Sequence, residues 1–155
     1  MRAFREAVEA HDMDAVEALL ADDVVFSSPV VFKPYRGRAI TAAILRAVER
    51  VFEDFRYERV IGEADGRDHA LLFTARVGDR EISGCDFLRL DASGRIAELT
   101  VMVRPLSGAQ ALQAAMAAQF ERIAKETEEA AEVRERSAGA PGTACAEGRG
   151  DVVVR

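Results

Sequence analysis

Apolar residues recur every three or four positions over residues 2–21, where Phe4, Val8, Val16, Leu19 and Leu20 stand among Glu and Arg, a pattern that predicts helix. His11-Asp12-Met13-Asp14 interrupts the period, so a second short helix is expected to run to Leu20, capped by Asp12 or Asp14. Val24-Val25-Phe26 reads as a short strand. Ser28-Pro29 ends it, and a loop containing Pro34 leads to Gly37. The helical period returns over 39–53 with Ile40, Ile44, Leu45, Val48 and Phe52.

From Phe55 the period falls to two. Strands are expected near 56–64, 69–77, 80–91 and 95–104, separated by Asp65-Gly66, Gly78-Asp79 and Asp91-Ala92-Ser93-Gly94. The first two spacers are two-residue hairpin signals and the third is a four-residue turn, so the middle of the chain predicts an antiparallel meander. A helix is expected after Pro105, capped by Ser107 and striped by Leu112, Met116, Phe120 and Ile123. It fades into a Glu-rich, solvated stretch over 126–135. From Ser137 the composition of Gly, Ala, Pro and Ser predicts a disordered tail. The expected fold class is therefore α+β: helices first, a four-strand meander, then an added C-terminal helix.

Alternation also assigns faces. Leu71, Phe73, Ala75 and Val77 share one face of their strand, and Ile82, Gly84, Asp86, Leu88 and Leu90 point together on the next. Leu99, Val101 and Val103 do the same on the last. Asp86 breaks the apolar pattern at a mid-strand position, where a carboxylate must find donors or take up a proton. It reads either as the polar group of a site or as a buried anchor that only fixes geometry. Arg89, Arg104 and Cys85 fall on the opposite face, Arg89 and Arg104 as outer salt-bridge formers and Cys85 as a small buried apolar residue. Asp22-Asp23 reads as turn and cap chemistry, and Tyr35 as a residue able to cap a pocket mouth. The direction of Tyr57 is not set by the pattern.

Charge and composition narrow the function class. With 21 Lys and Arg against 27 Asp and Glu the formal charge is −6, which argues against nucleic acid or an anionic membrane surface as a partner. Hydrophobic residues at 49% and charged residues at 31% fit one globular domain. Two cysteines, Cys85 and Cys145, supply neither a disulfide framework nor a metal site. Two histidines, His11 and His69, lack ligand spacing and are expected on the solvent side. No apolar run is long enough for a membrane span and no signal sequence opens the chain, so a cytoplasmic protein without a cofactor is expected.

Several motifs occur in a telling order: Leu20-Ala21-Asp22-Asp23-Val24-Val25-Phe26-Ser27-Ser28-Pro29 after a helix, Gly37-Arg38 opening a helix, and Asp86-Phe87-Leu88-Arg89-Leu90-Asp91 followed by Gly94-Arg95-Ile96. In these the chain resembles the nuclear transport factor 2-like superfamily, nearest to its bacterial SnoaL-like members, over residues 1–106. The resemblance implies a cone-shaped, curved antiparallel sheet wrapped around N-terminal helices, an apolar pocket, and a homodimer through the outer sheet face. Residues 107–136 would then be a helical extension and 137–155 a tail. Asp86 matches the protonated acid of ketosteroid isomerase, a member of that superfamily. The general base of that enzyme corresponds to Ser28, its first-helix tyrosine to Phe4, and its supporting tyrosines to Leu20 and Leu45. Ser28 has no proton-shuttling capacity on its own and Phe4 donates no hydrogen bond, so steroid isomerisation by that mechanism is not expected. An epoxide hydrolase set would need an Asp where Leu99-Thr100-Val101 stands, and a dehydratase set would need pocket histidines. The single-carboxylate chemistry of SnoaL-type polyketide cyclases is compatible with Asp86.

Two readings follow. In one, Phe4, Leu20, Phe26, Ser28, Leu45, Leu71, Phe73, Ala75, Leu88, Leu99, Val101 and Val103 line a pocket for an apolar, polyketide- or steroid-like molecule, and Asp86 is the acid–base group of an isomerase, cyclase or hydrolase. In the other, the chain is a non-catalytic ligand-binding or dimerisation module.

Overall fold

The structure is a computed structural model and describes residues 1–121. Its elements are α1 (Arg2–Glu9), α2 (Met13–Leu19), β1 (Leu20–Ser27), β2 (Tyr35–Arg36), α3 (Arg38–Val51), β3 (Glu53–Ile61), β4 (Asp68–Val77), β5 (Arg80–Leu90), β6 (Ile96–Arg104) and α4 over 106–121. The expected course of α4 to 136, its stripe residue Ile123, the Glu-rich stretch and the tail from 137 lie outside the described residues.

The second helix begins where a side chain satisfies its first turn. Asp12 accepts a hydrogen bond from the Ala15 backbone N–H at 2.9 Å and caps α2. Asp12→Ala should therefore lower stability by about 1 kcal/mol, measured by urea unfolding. An unchanged midpoint would mean that α2 is held by packing alone. Arg38 opens α3 and donates to the Leu20 carbonyl at 3.0 Å and to Asp22 at 2.7 Å, tying that helix to β1. Asp22 is thus a strand residue held by an ion pair. α4 starts at 106, so Ser107 lies within its first turn and is not its cap. Gly108 in the same turn leaves room for Ile82 of β5, whose Cγ2 would lie 2.5 Å from an added Cβ.

The six strands form one sheet in the order β2-β1-β6-β5-β4-β3. β3 to β6 are the expected antiparallel meander. β1, however, pairs with β6 in parallel, so the curved, unclosed sheet is mixed and not wholly antiparallel. The meander strands are joined by short connections that force antiparallel pairing, whereas β1 and β6 are separated by most of the domain and no hairpin constrains them. Register shifts in β1, β3 and β6 interrupt the ladder and bend these strands.

Gly78 at φ 58° makes the two-residue turn between β4 and β5. The Asp91 carboxylate accepts from the Ser93 and Arg95 backbone N–H groups and the Ser93 hydroxyl, which organises the next turn and holds its pKa below the usual value. The first hairpin departs from expectation. β3 ends at Ile61, and a loop over 62–67 replaces the two-residue turn at Asp65-Gly66. His69 corrects a second expectation. It is buried, at 6% exposure, because it continues the inward alternation of Leu71, and its Nε2 meets the Gly66 carbonyl at 2.8 Å across that loop.

Candidate functional site

Inward-facing side chains of the sheet and the apolar faces of all four helices enclose a cavity of about 120 Å³. One strand register places its polar centre. Leu71, Asp86 and Val101 are paired across β4, β5 and β6, so the Asp86 carboxyl stands on the buried face among apolar neighbours. Asp86 is 8% exposed. Tyr57, inward-facing on β3, is two strands away, roughly 10 Å at the usual strand spacing. Its hydroxyl nevertheless reaches the carboxyl and donates to Asp86 Oδ2 at 2.6 Å.

The residue between them explains that reach. Phe73 pairs with Tyr57 on one side and with Gly84 on the other. An added Cβ at Gly84 would collide with the Phe73 ring and lie 2.6 Å from the Met102 carbonyl. Glycine thus lets the Phe73 ring lie flat over β5. Phe52, Phe55, Tyr57 and Phe73 form a continuous aromatic wall, with Phe55 edge-on to Tyr57 at 4.9 Å between centroids and 5.2 Å from Phe73. Phe4 of α1 approaches Tyr57 at 6.5 Å.

Burial sets the proton chemistry. Loss of water pushes the Asp86 carboxyl up to about 7, and the Tyr57 hydrogen bond pulls the other way by favouring the carboxylate. Burial and the neighbouring carboxyl push the Tyr57 phenol well above its ordinary value, so Tyr57 remains a donor at physiological pH. Among the described residues no basic side chain forms an ion pair with Asp86. The arrangement can present either a carboxylic acid or a carboxylate to a molecule in the cavity near neutral pH. No group of three or more His, Cys, Asp or Glu among the described residues is placed to hold a metal ion.

Of the residues singled out above, Phe4, Phe26, Ser28, Leu45, Phe73, Asp86, Leu99 and Val101 border the cavity. Leu20, Leu71, Ala75, Leu88 and Val103 do not. The inner sheet face is longer than the cavity, and these five share the buried side but lie in the solid core or at its margin; Leu20 and Leu71 are fully buried there. Ser28 is occupied locally, its hydroxyl accepting from the Val30 backbone N–H at 3.2 Å. Tyr35 borders the cavity and stacks on Phe26 at 6.2 Å. On the outer face, Arg89 pairs with Asp68 at 2.8 Å, while Arg104 donates to the Ser83 hydroxyl at 3.4 Å. Cys85 lies half-buried on that face, and burial pushes its thiol pKa up.

Tyr57 is the principal residue that sequence reasoning left unassigned. Its signal was the run Phe55-Arg56-Tyr57-Glu58, in which two aromatics alternate with two charges. Leu112, Met116 and Phe120 of α4 also border the cavity, as do His11 and Glu49 at its rim.

Comparison with known proteins supports the same fold. A family model described as SnoaL-like domain matches residues 1–99. A crystal structure of a steroid delta-isomerase from Pseudomonas aeruginosa is 43% identical with a TM-score of 0.75, covering 79% of this chain and 89% of that one. A bacterial protein with a cystatin-like fold from Silicibacter pomeroyi is 37% identical with a TM-score of 0.76, covering 82% and 89%. No curated protein matches the chain significantly. With its helices packed on one curved sheet and a family match running from α1 into β6, the chain belongs to the SnoaL-like domain family.

Proposed function

We propose that this chain holds a small, mainly apolar molecule in the cavity, with the Asp86–Tyr57 pair engaging an oxygen of that molecule. The observation that carries this reading is a buried carboxyl, held at 2.6 Å by the Tyr57 hydroxyl, at the wall of a mainly apolar chamber. A carbonyl is the fitting group: protonated Asp86 donates to it, while Tyr57, whose single O–H is engaged by Asp86 Oδ2, holds the carboxyl in place. The same pair supports proton transfer in an isomerase, cyclase or hydrolase, and the likeness to a structure named as a steroid delta-isomerase favours carbonyl chemistry. The Ser28 position still lacks a carboxylate base, so any proton removal must use other groups. At about 120 Å³ the chamber is smaller than the roughly 300–1,000 Å³ of drug-sized pockets. A ligand of steroid size requires Leu112, Met116 and Phe120 to draw back.

Native mass spectrometry of the purified protein tests this. A bound apolar adduct that is lost or weakened tenfold in Asp86→Ala, which removes the donor, supports the reading. An adduct bound equally by both overturns the role of Asp86. The same spectra report subunit number. Phe87 and Met102 are exposed on the outer sheet face, at 43% and 59%, and we expect a second copy of this chain to cover them. A strictly monomeric spectrum at micromolar concentration would contradict that expectation.

A further inference from the structure

We propose that His11 and Glu49 form a second recognition point in the same cavity, which accepts a hydrogen bond from a hydroxyl at the outer end of the ligand. This rests on the small-molecule reading of the cavity and adds the polarity that its ligand must have.

The placement is built from the chain upward. α1 ends at Glu9 and α2 begins at Met13, so His11 sits in the sharp connection between them. Its φ is 57°, a left-handed conformation unfavourable for a residue with a Cβ. Three contacts hold it there. The His11 N–H donates to the Val8 carbonyl at 3.1 Å, the Asp12 N–H donates to the Ala7 carbonyl at 2.9 Å, and the Met13 N–H donates to the His11 carbonyl at 3.2 Å. The imidazole is thereby turned toward α3, where Nδ1 lies 3.1 Å from Glu49 Oε1. Both residues border the cavity, and the His11 side chain, at 69% exposure, marks its solvent end.

The hydrogen-bonding sense follows from that pair. A carboxylate only accepts, so Nδ1 carries the proton toward Glu49, and in the neutral ring Nε2 presents a lone pair. Nε2 has no hydrogen-bond partner among the described residues. The nearby cation on α3, Arg46, is engaged by Asp14 and Glu17 at 2.7 Å each and does not compete for Glu49. The rim is therefore an acceptor beside a negative charge, which suits a neutral hydroxyl and repels an acid. At the inner end protonated Asp86, held by the Tyr57 hydroxyl, is a donor and suits a carbonyl. The ligand class is an apolar scaffold with a carbonyl at one end and a hydroxyl or phenol at the other.

An acetylnaphthol and its methyl ether, which differ only in the hydroxyl hydrogen and one methyl group, are suitable fluorescent probes. Titration into the full chain should show the phenol binding at least tenfold tighter than the ether. His11→Asn, chosen because Asn tolerates the left-handed backbone, should remove that preference, so that phenol and ether bind alike. Glu49→Gln should reduce it. The chain has two histidines, so 15N labelling of histidine resolves both rings. The His11 Nε2 resonance should move on phenol binding, with buried His69 unmoved as the control for folding. Equal affinity for phenol and ether with binding still dependent on Asp86, or a stationary His11 resonance, would overturn this proposal alone. Binding of neither probe would overturn the cavity reading and this proposal with it.

Discussion

Asp86→Asn is expected to flatten the pH dependence of stability and to make the protein more stable than the parent at alkaline pH. The folded chain keeps the Asp86 proton up to about pH 7, whereas the unfolded chain releases it near 3.8. Between those values the folded state binds more protons, so parental stability falls as pH rises through this window and levels off above it. At about 1.4 kcal/mol per pK unit, the whole shift corresponds to roughly 4 kcal/mol. Asn retains an oxygen that accepts the Tyr57 hydroxyl and carries no charge, so the variant avoids this loss. Urea unfolding of both proteins should give curves that nearly coincide near pH about 4 and diverge by a few kcal/mol by pH about 8. Parallel curves would mean that Asp86 titrates as an ordinary carboxyl. A variant less stable at every pH would identify it as an anchor that only accepts hydrogen bonds.

The second large effect is expected at Gly84. A methyl group there meets the Phe73 ring and the Met102 carbonyl, one of which is backbone and cannot swing away. Gly84→Ala should therefore destabilise the fold by about 3 kcal/mol, in the range of overpacked cores. For a domain of this size that lowers Tm by roughly 10 °C. Displacement of Phe73 also disturbs Phe55 and Tyr57, so the Tyr57–Asp86 hydrogen bond should lengthen and the Asp86 pKa rise further, because that bond favours the charged form. Calorimetry together with a carboxyl titration of the variant checks both parts. An unchanged Tm would mean that β5 and β6 yield more easily than a paired sheet should.

The inward placement of Asp86 was legible from alternation alone, because a period-two strand assigns every side chain a face. The same logic grouped Leu71, Ala75, Leu88 and Val103 with it but carried no information on where the cavity stops along the sheet. That boundary depends on which helices fill the space, and helix packing is not written in a strand's periodicity. Leu112, Met116 and Phe120 show the converse: their stripe was visible, and the cavity it closes was not. The Tyr57–Asp86 hydrogen bond joins residues 29 apart in sequence across an intervening strand and depends on a glycine at 84. No local pattern encodes such a reach. His69 followed its strand's alternation inward, and its polarity misleads only until the loop carbonyl of Gly66 is seen to meet it. The parallel pairing of β1 with β6 was hidden for a related reason, since it forms between segments far apart in the chain.

The most direct test is a 13C NMR titration of the Asp86 carboxyl, assigned by its loss in Asp86→Asn, without ligand and with acetylnaphthol bound. A midpoint near 7 that moves when the cavity is occupied is the expected result. A midpoint near 3.8, indifferent to the ligand, would contradict the view that Asp86 is the poised polar group of a small-molecule site.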